Sequence, residues 1–120
     1  MCYDFIVSEL IQGETIFSQL IEPKLDELAV LCRRLGVRRL DLFGSAATGR
    51  FDPIRSDLDF LVEFEPAPLG GRYAKAAFEL RSSLERLFEK PIDLLTESML
   101  ENPYLRRQVE SEKRRLYPSP

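Results

Sequence analysis

Asp57 and Asp59 stand two residues apart at the head of an apolar run, Leu58-Asp59-Phe60-Leu61-Val62. On an extended strand such residues leave the same face, roughly 6.6 Å apart along the chain. Two carboxylates that close repel each other unless positive charge lies between them. No Lys or Arg sits on that face of the strand, so a divalent cation is the natural neutraliser. The chain has no histidine and only two cysteines, Cys2 and Cys32. Hard oxygen donors alone favour magnesium or manganese.

Magnesium held by few carboxylates keeps positions open for water and phosphate oxygens. Such a partner is encoded upstream, with eleven residues between it and Asp57. Gly44-Ser45 closes a run of alternating residues, VRRLDLF, over 37–43. Glycine lets the backbone turn and approach a ligand closely. A helical turn after it would aim N–H groups and the Ser45 hydroxyl at an anion. Asp93, between Ile92 and Leu94, is a third acid in an apolar setting. If its strand pairs beside Asp57 and Asp59, three carboxylates converge in the layout of two-metal nucleotidyl transfer.

These residues need a scaffold, and the hydrophobic pattern supplies one. Residues 1–13 read as a short helix or loose arm, and 15–21 repeat apolar residues at helical spacing. A helix is expected from Pro23 to Leu35. Pro suits its first turn, Arg33 and Arg34 its last, and Gly36 stops it. Strands are expected over 37–43, 57–65 and 91–96, with a turn-rich stretch at 45–56 that opens on one helical turn. Residues 72–89 carry Tyr73, Ala76, Ala77, Leu80, Leu84, Leu87 and Phe88 at steps of three and four, an amphipathic helix. Asn102 as cap and Pro103 in the first turn start a final helix over 102–117. Helix, strand, strand, helix, strand, helix points to an α/β (α+β) fold, a small mixed sheet with helices packed on it. Cys32 reads as a small apolar core residue. Tyr73 and Tyr104 read as core and boundary residues. Arg106, Arg107, Lys113, Arg114 and Arg115 read as a solvated helix face and tail.

Composition narrows the function further. The 120 residues, 44% hydrophobic and 31% charged, fit a single folded domain rather than a disordered chain. Seventeen basic against twenty acidic residues give a net charge of −3. Direct nucleic-acid binding through a broad basic surface is therefore not expected. The missing histidines exclude a Ser-His-Asp triad, a Cys-His pair and a His-containing zinc site. Two cysteines make no disulfide framework and suit a reduced, cytoplasmic setting. No signal peptide and no membrane span is expected.

Taken together, Leu42-Phe43-Gly44-Ser45, Gly49, Ser56-Asp57-Leu58-Asp59-Phe60-Leu61-Val62 and Pro91-Ile92-Asp93-Leu94-Leu95 resemble the minimal nucleotidyltransferases of the DNA polymerase β-like superfamily. The resemblance covers about residues 23–117. It implies a polymerase β-like fold in which Gly44 and Ser45 bind nucleotide phosphates. It also implies that Asp57 and Asp59 hold Mg²⁺, and that Asp93 completes the metal site and helps deprotonate the acceptor. Small proteins of this kind are often antitoxins. They move AMP from ATP to a tyrosine of a HEPN-type ribonuclease toxin and silence it.

The sequence departs from the family at two positions. The family often carries Arg where Ala46 and Thr48 stand, so two positive charges near the triphosphate are missing. Arg50 and Arg55 are the candidate replacements. The expected organisation is an N-terminal arm or helix over 1–21, a nucleotidyltransferase domain over 22–117 and a tail over 118–120. The expected function is Mg²⁺-dependent AMP transfer to a toxin hydroxyl, with the homo-oligomeric state open. Two other readings remain at this point: an antitoxin that neutralises by binding alone, and a nucleotidyltransferase acting on a small molecule, as the aminoglycoside enzymes do.

Overall fold

A computed structural model describes residues 17–48, 57–66 and 72–118. The arm over 1–13, Cys2, Arg50 and Arg55 lie outside the described residues. A π-helical turn, Phe17–Ile21, and a 3-10 turn, Glu22–Lys24, lead into helix α1, Leu25–Leu35. Strand β1 is Val37–Phe43, followed by the four-residue helix α2, Ser45–Thr48. Strand β2 is Leu58–Phe64, helix α3 Tyr73–Phe88 and strand β3 Ile92–Thr96. After a short 3-10 turn, Glu97–Met99, come helix α4, Pro103–Glu112, and strand β4, Arg114–Tyr117.

The expected helix stops and starts are where the local chemistry puts them. Gly36 takes the left-handed conformation that ends α1, at φ 74°. Asn102 caps α4 by accepting a 2.8 Å bond from the Tyr104 amide, with Pro103 in the first turn. The C-terminus differs from expectation. The helix ends at Glu112, and Lys113 is already extended, at ψ 144°. The chain continues as β4 because Leu116 fills a place in the core and Arg115 has a partner inside the sheet.

The sheet runs β3-β2-β1-β4. β1 is antiparallel to both β2 and β4, and β2 is parallel to β3. A parallel pair needs a crossover, and α3 provides it. The architecture is α+β with a mixed sheet. Its helix-covered face holds the main core: Leu28, Leu35, Leu40, Leu42, Phe60, Val62, Leu80 and Leu84 are all sealed, and Phe60 stacks on Phe88 at 5.9 Å. On the opposite face a smaller core joins Phe43 and Leu61 to Leu100 and Val109, so that α4 covers part of that side. Tyr73 and Tyr104 are exposed rather than core or boundary residues, Tyr104 with Arg107 beside its ring at 5.9 Å. Among the described residues no helix is long and apolar enough to cross a membrane.

Candidate active site

The carboxylates gather on the face that α4 covers only in part. Phe43 of β1 pairs with Asp59 of β2, and Asp59 pairs with Asp93 of β3. One row across three strands thus reads Phe43, Asp59, Asp93. The Leu58 amide donates to the Pro91 carbonyl at 3.1 Å, which ties the start of β2 to the start of β3. Asp57, at the mouth of β2, is exposed, Asp59 is half-buried and Asp93 is exposed.

Asp59 is held in a hostile environment. Burial pushes its carboxyl from 3.8 up to about 6, and the charges of Asp93, Asp57 and Glu112 push it the same way. Glu112 had no signal in the sequence pattern, since it sits in a helix end full of charges. The fold brings it in because Val109, one turn earlier, packs into the smaller core against Phe43 and Leu61.

Gly44 forms the other wall. Its φ is 74°, a conformation that favours glycine. A β-carbon there would land on Asp59 Oδ2 and lie 3.1 Å from its Cγ. The turn after it is held by its own carbonyl, which accepts from the amides of Ala47 at 3.1 Å and Thr48 at 3.2 Å, and from Thr48 Oγ1 at 3.1 Å. Ser45 opens α2 and is half-buried, whereas Ala46 is sealed in the core.

The donor set suits a hard divalent cation: carboxylate oxygens in mutual repulsion, close against a glycine that leaves room beside them. Among the described residues no three acidic or sulfur side chains are grouped tightly enough to enclose one ion. A cation here would take direct bonds from only some of these carboxylates, with water and phosphate oxygens completing its shell, which is the usual arrangement for magnesium.

The basic run near the C-terminus is a solvated face only in its helical part: Arg106 and Arg107 are exposed, whereas Lys113, Arg114 and Arg115 are half-buried. Arg106 pairs with Glu97 at 2.9 Å and Lys113 with Glu110 at 3.0 Å. Arg115 Nε donates to Asp41 Oδ1 at 2.7 Å, and Asp41 is buried within β1. The one trace of this in the sequence is an acid within the otherwise apolar half of the 37–43 strand.

Comparison with known proteins gives one answer at three levels. The family model "Nucleotidyltransferase domain" matches residues 27–116. "Putative protein adenylyltransferase MJ1379" of Methanocaldococcus jannaschii is 32% identical over 85 residues, 69% of this chain and 80% of its own length. "Putative protein adenylyltransferase MJ0128" of the same organism is 32% identical over 83 residues, with the same coverage. Among solved structures, a "putative minimal nucleotidyltransferase" is 34% identical with a TM-score of 0.65, covering 87% of this chain and 95% of that one. A complex of a tri-AMPylated Shewanella oneidensis HEPN toxin with an MNT antitoxin has the same fold, at 20% identity and a TM-score of 0.54, covering 80% of this chain and 71% of that one.

Proposed function

The chain belongs to the nucleotidyltransferase domain family and is an enzyme of the minimal, polymerase β-like kind, and from that premise we propose that it moves AMP from MgATP to a protein hydroxyl. The observation that carries this reading is the Asp59–Asp93 pairing set against Gly44, with Asp57 at the mouth of the same strand. Asp57 and Asp59 would hold the cation and Asp93 would complete the site. When bound, the metal neutralises phosphate charge and lowers the pKa of a coordinated hydroxyl. Ser45 contacts the terminal phosphates, beside a turn whose Ala47 and Thr48 amides are already engaged with Gly44. Outside the described residues, Arg50 and Arg55 are the candidates for the triphosphate charge.

Asp93 is exposed, so an acceptor can reach it, and there it orients the incoming hydroxyl and takes its proton. The acceptor oxygen then forms a bond to the α-phosphorus as the bond to the bridging oxygen of the β-phosphate breaks. AMP stays on the acceptor and pyrophosphate leaves. The acceptor we infer is a tyrosine of a HEPN-type toxin, with this chain as its antitoxin. The names of the two archaeal relatives support protein as the substrate class. The AMPylated toxin complex and a toxin–antitoxin complex with AMP-PNP, 22% identical, share the fold and suggest the partner and the nucleotide.

A second reading has one observation behind it. Ala46 is sealed in the core and the Thr48 hydroxyl is turned onto the Gly44 carbonyl, so neither supplies charge to a triphosphate. On that reading the chain neutralises its toxin by binding alone. Incubation of the protein with its toxin partner and MgATP, followed by intact-mass spectrometry, separates the two. Gain of AMP units by the toxin, lost with Asp57→Asn/Asp59→Asn, supports transfer. A stable complex with no gain supports binding alone, and transfer retained by a folded double variant sinks the metal assignment.

A further inference from the structure

The two edges of the sheet are built differently. β4 carries Arg114 and Arg115, the kind of charge that keeps an edge from pairing with another chain. β3, the opposite edge, reads Ile92, Asp93, Leu94, Leu95, Thr96, with no Lys, Arg or Pro. Its one charge, Asp93, belongs to the candidate site. Among the described residues no strand lies beyond it.

Which groups this edge offers follows from its pairing with β2. The Pro91 carbonyl accepts from the Leu58 amide, so it faces β2. Backbone groups alternate in direction along a strand, so those of Asp93 and Leu95 face β2 as well. The N–H and C=O groups of Ile92, Leu94 and Thr96 therefore point outward. Side chains alternate too. Asp93 shares the cleft face with Asp59, and Thr96 shares the helix-covered face with Val62. At the Thr96 end that face opens into a pocket of about 440 Å³, lined by Val62, Phe64, Tyr73, Ala77 and Met99. Tyr73 and Met99 stand exposed at its rim.

We propose that an extended segment of the acceptor protein adds to the β3 edge as a fifth strand. Its modified residue stands opposite Asp93, and an apolar residue three positions away stands opposite Thr96 and enters the pocket. Residues directly opposite each other share a face. Three steps along a strand cover about 10 Å and turn the second side chain to the other face, as the cleft and the pocket require. Main-chain bonds to the outward groups hold the segment, and the pocket selects its side chain, as in other peptides that extend a sheet. The occupant is the acceptor rather than a second copy of this chain because the edge contains Asp93. A strand paired here passes within about 5 Å of the Asp93 backbone, so a second copy would close the approach that the acceptor needs. The proposal rests on the reading of this chain as transferring AMP to a protein.

Site-resolved amide hydrogen exchange on the full chain tests it, with the toxin partner as acceptor and AMP-PNP keeping the complex unreacted. The Leu94 and Thr96 amides are expected to exchange at least about 10-fold more slowly in the complex, whereas those of Asp93 and Leu95, already bonded to β2, are protected in both states. Thr96→Pro removes one outward donor at an edge position where a sheet tolerates proline. With MgATP it should raise KM for the toxin by about 10-fold, the size of one lost hydrogen bond, and not KM for ATP. Circular dichroism verifies that the variant is folded; should it fail that check, the exchange result decides alone. A complex that forms with no added protection at Leu94 and Thr96, or a wild-type KM for the toxin in folded Thr96→Pro, overturns the edge as the docking site and leaves transfer standing. Protection that rises with protein concentration in the absence of toxin assigns the edge to a second copy and overturns the proposal. A toxin that gains no AMP from the wild type overturns the transfer reading and this proposal with it.

Discussion

The α-carbon of Gly44 lies so close to the Asp59 carboxylate that no β-carbon fits between them. Strand β1 ends and strand β2 begins at this contact, so the turn proposed to face phosphate and the carboxylate proposed to hold metal share one wall. At φ 74° the backbone of Gly44 independently favours glycine.

Gly44→Ala is therefore expected to act on both counts. A left-handed alanine costs about 1–2 kcal/mol, and the methyl group forces the Asp59 side chain away from its place. Transfer activity should fall by at least about 100-fold, as expected for an ångström-scale misplacement of a catalytic group, while circular dichroism shows a folded protein. Near-wild-type kcat/KM in the alanine variant would show that Asp59 need not sit against this turn.

The raised Asp59 carboxyl makes a stability prediction with a definite sign. Its folded pKa is about 6 against an ordinary 3.8. Between those values the folded state binds more protons than the unfolded one, so this group's contribution to stability falls as pH rises. Asp59→Asn lacks that loss. Thermal melts without added divalent ions should show the variant more stable than the wild type at pH 8. The gap should narrow as pH drops through about 6 and close near 3.8. A gap independent of pH would show that repulsion at Asp59 is not its source.

Cys32 gives a prediction about reactivity. It lies fully buried in α1, and burial pushes its thiol up to about 12. The thiolate is the reactive form, so the residue should resist alkylation near neutral pH. Peptide mass mapping after iodoacetamide treatment should find Cys32 unlabelled in native buffer and labelled in denaturant. Rapid native labelling would place the thiol at the surface instead.

How much of this was written in the sequence depends on the range of the signal. The positions of Gly44, Ser45, Asp57, Asp59 and Asp93 at strand ends were legible because each lies at the edge of a short apolar strand. Asp59 and Asp93 come together through the parallel pairing of β2 with β3, which the α3 amphipathic stripe foretells, and Gly44 meets Asp59 through the antiparallel pairing of β1 with β2. Glu112 and Asp41 were not legible, since both depend on pairing between segments far apart in the chain. The tail misled for a local reason: KRRLY continues a helical charge pattern, and only the long-range contacts of Arg115 and Leu116 make it a strand. Tyr73 fits the apolar stripe of α3 yet stands at its exposed first turn, where its ring meets the end of β2, edge-on to Phe64 at 6.4 Å.

Arg115 is where that long-range pairing can be measured. Its Nε donates at 2.7 Å to Asp41, whose side chain is 2% exposed, while the arginine itself is 37% exposed. Removing the arginine leaves a buried carboxylate without its ion-pair partner. A fully buried broken pair costs about 3–5 kcal/mol, and the exposure of the arginine lowers the expected cost of Arg115→Ala to about 2–3 kcal/mol. A drop of roughly 10 °C in Tm follows for a domain of this size. Asp41→Leu/Arg115→Leu should recover much of it, because apolar replacement of a buried pair is often neutral. A surface pair would contribute at most about 1 kcal/mol. A loss that small in Arg115→Ala would show that β4 is held by Leu116 alone, with the ion pair contributing nothing to closing the edge of β1.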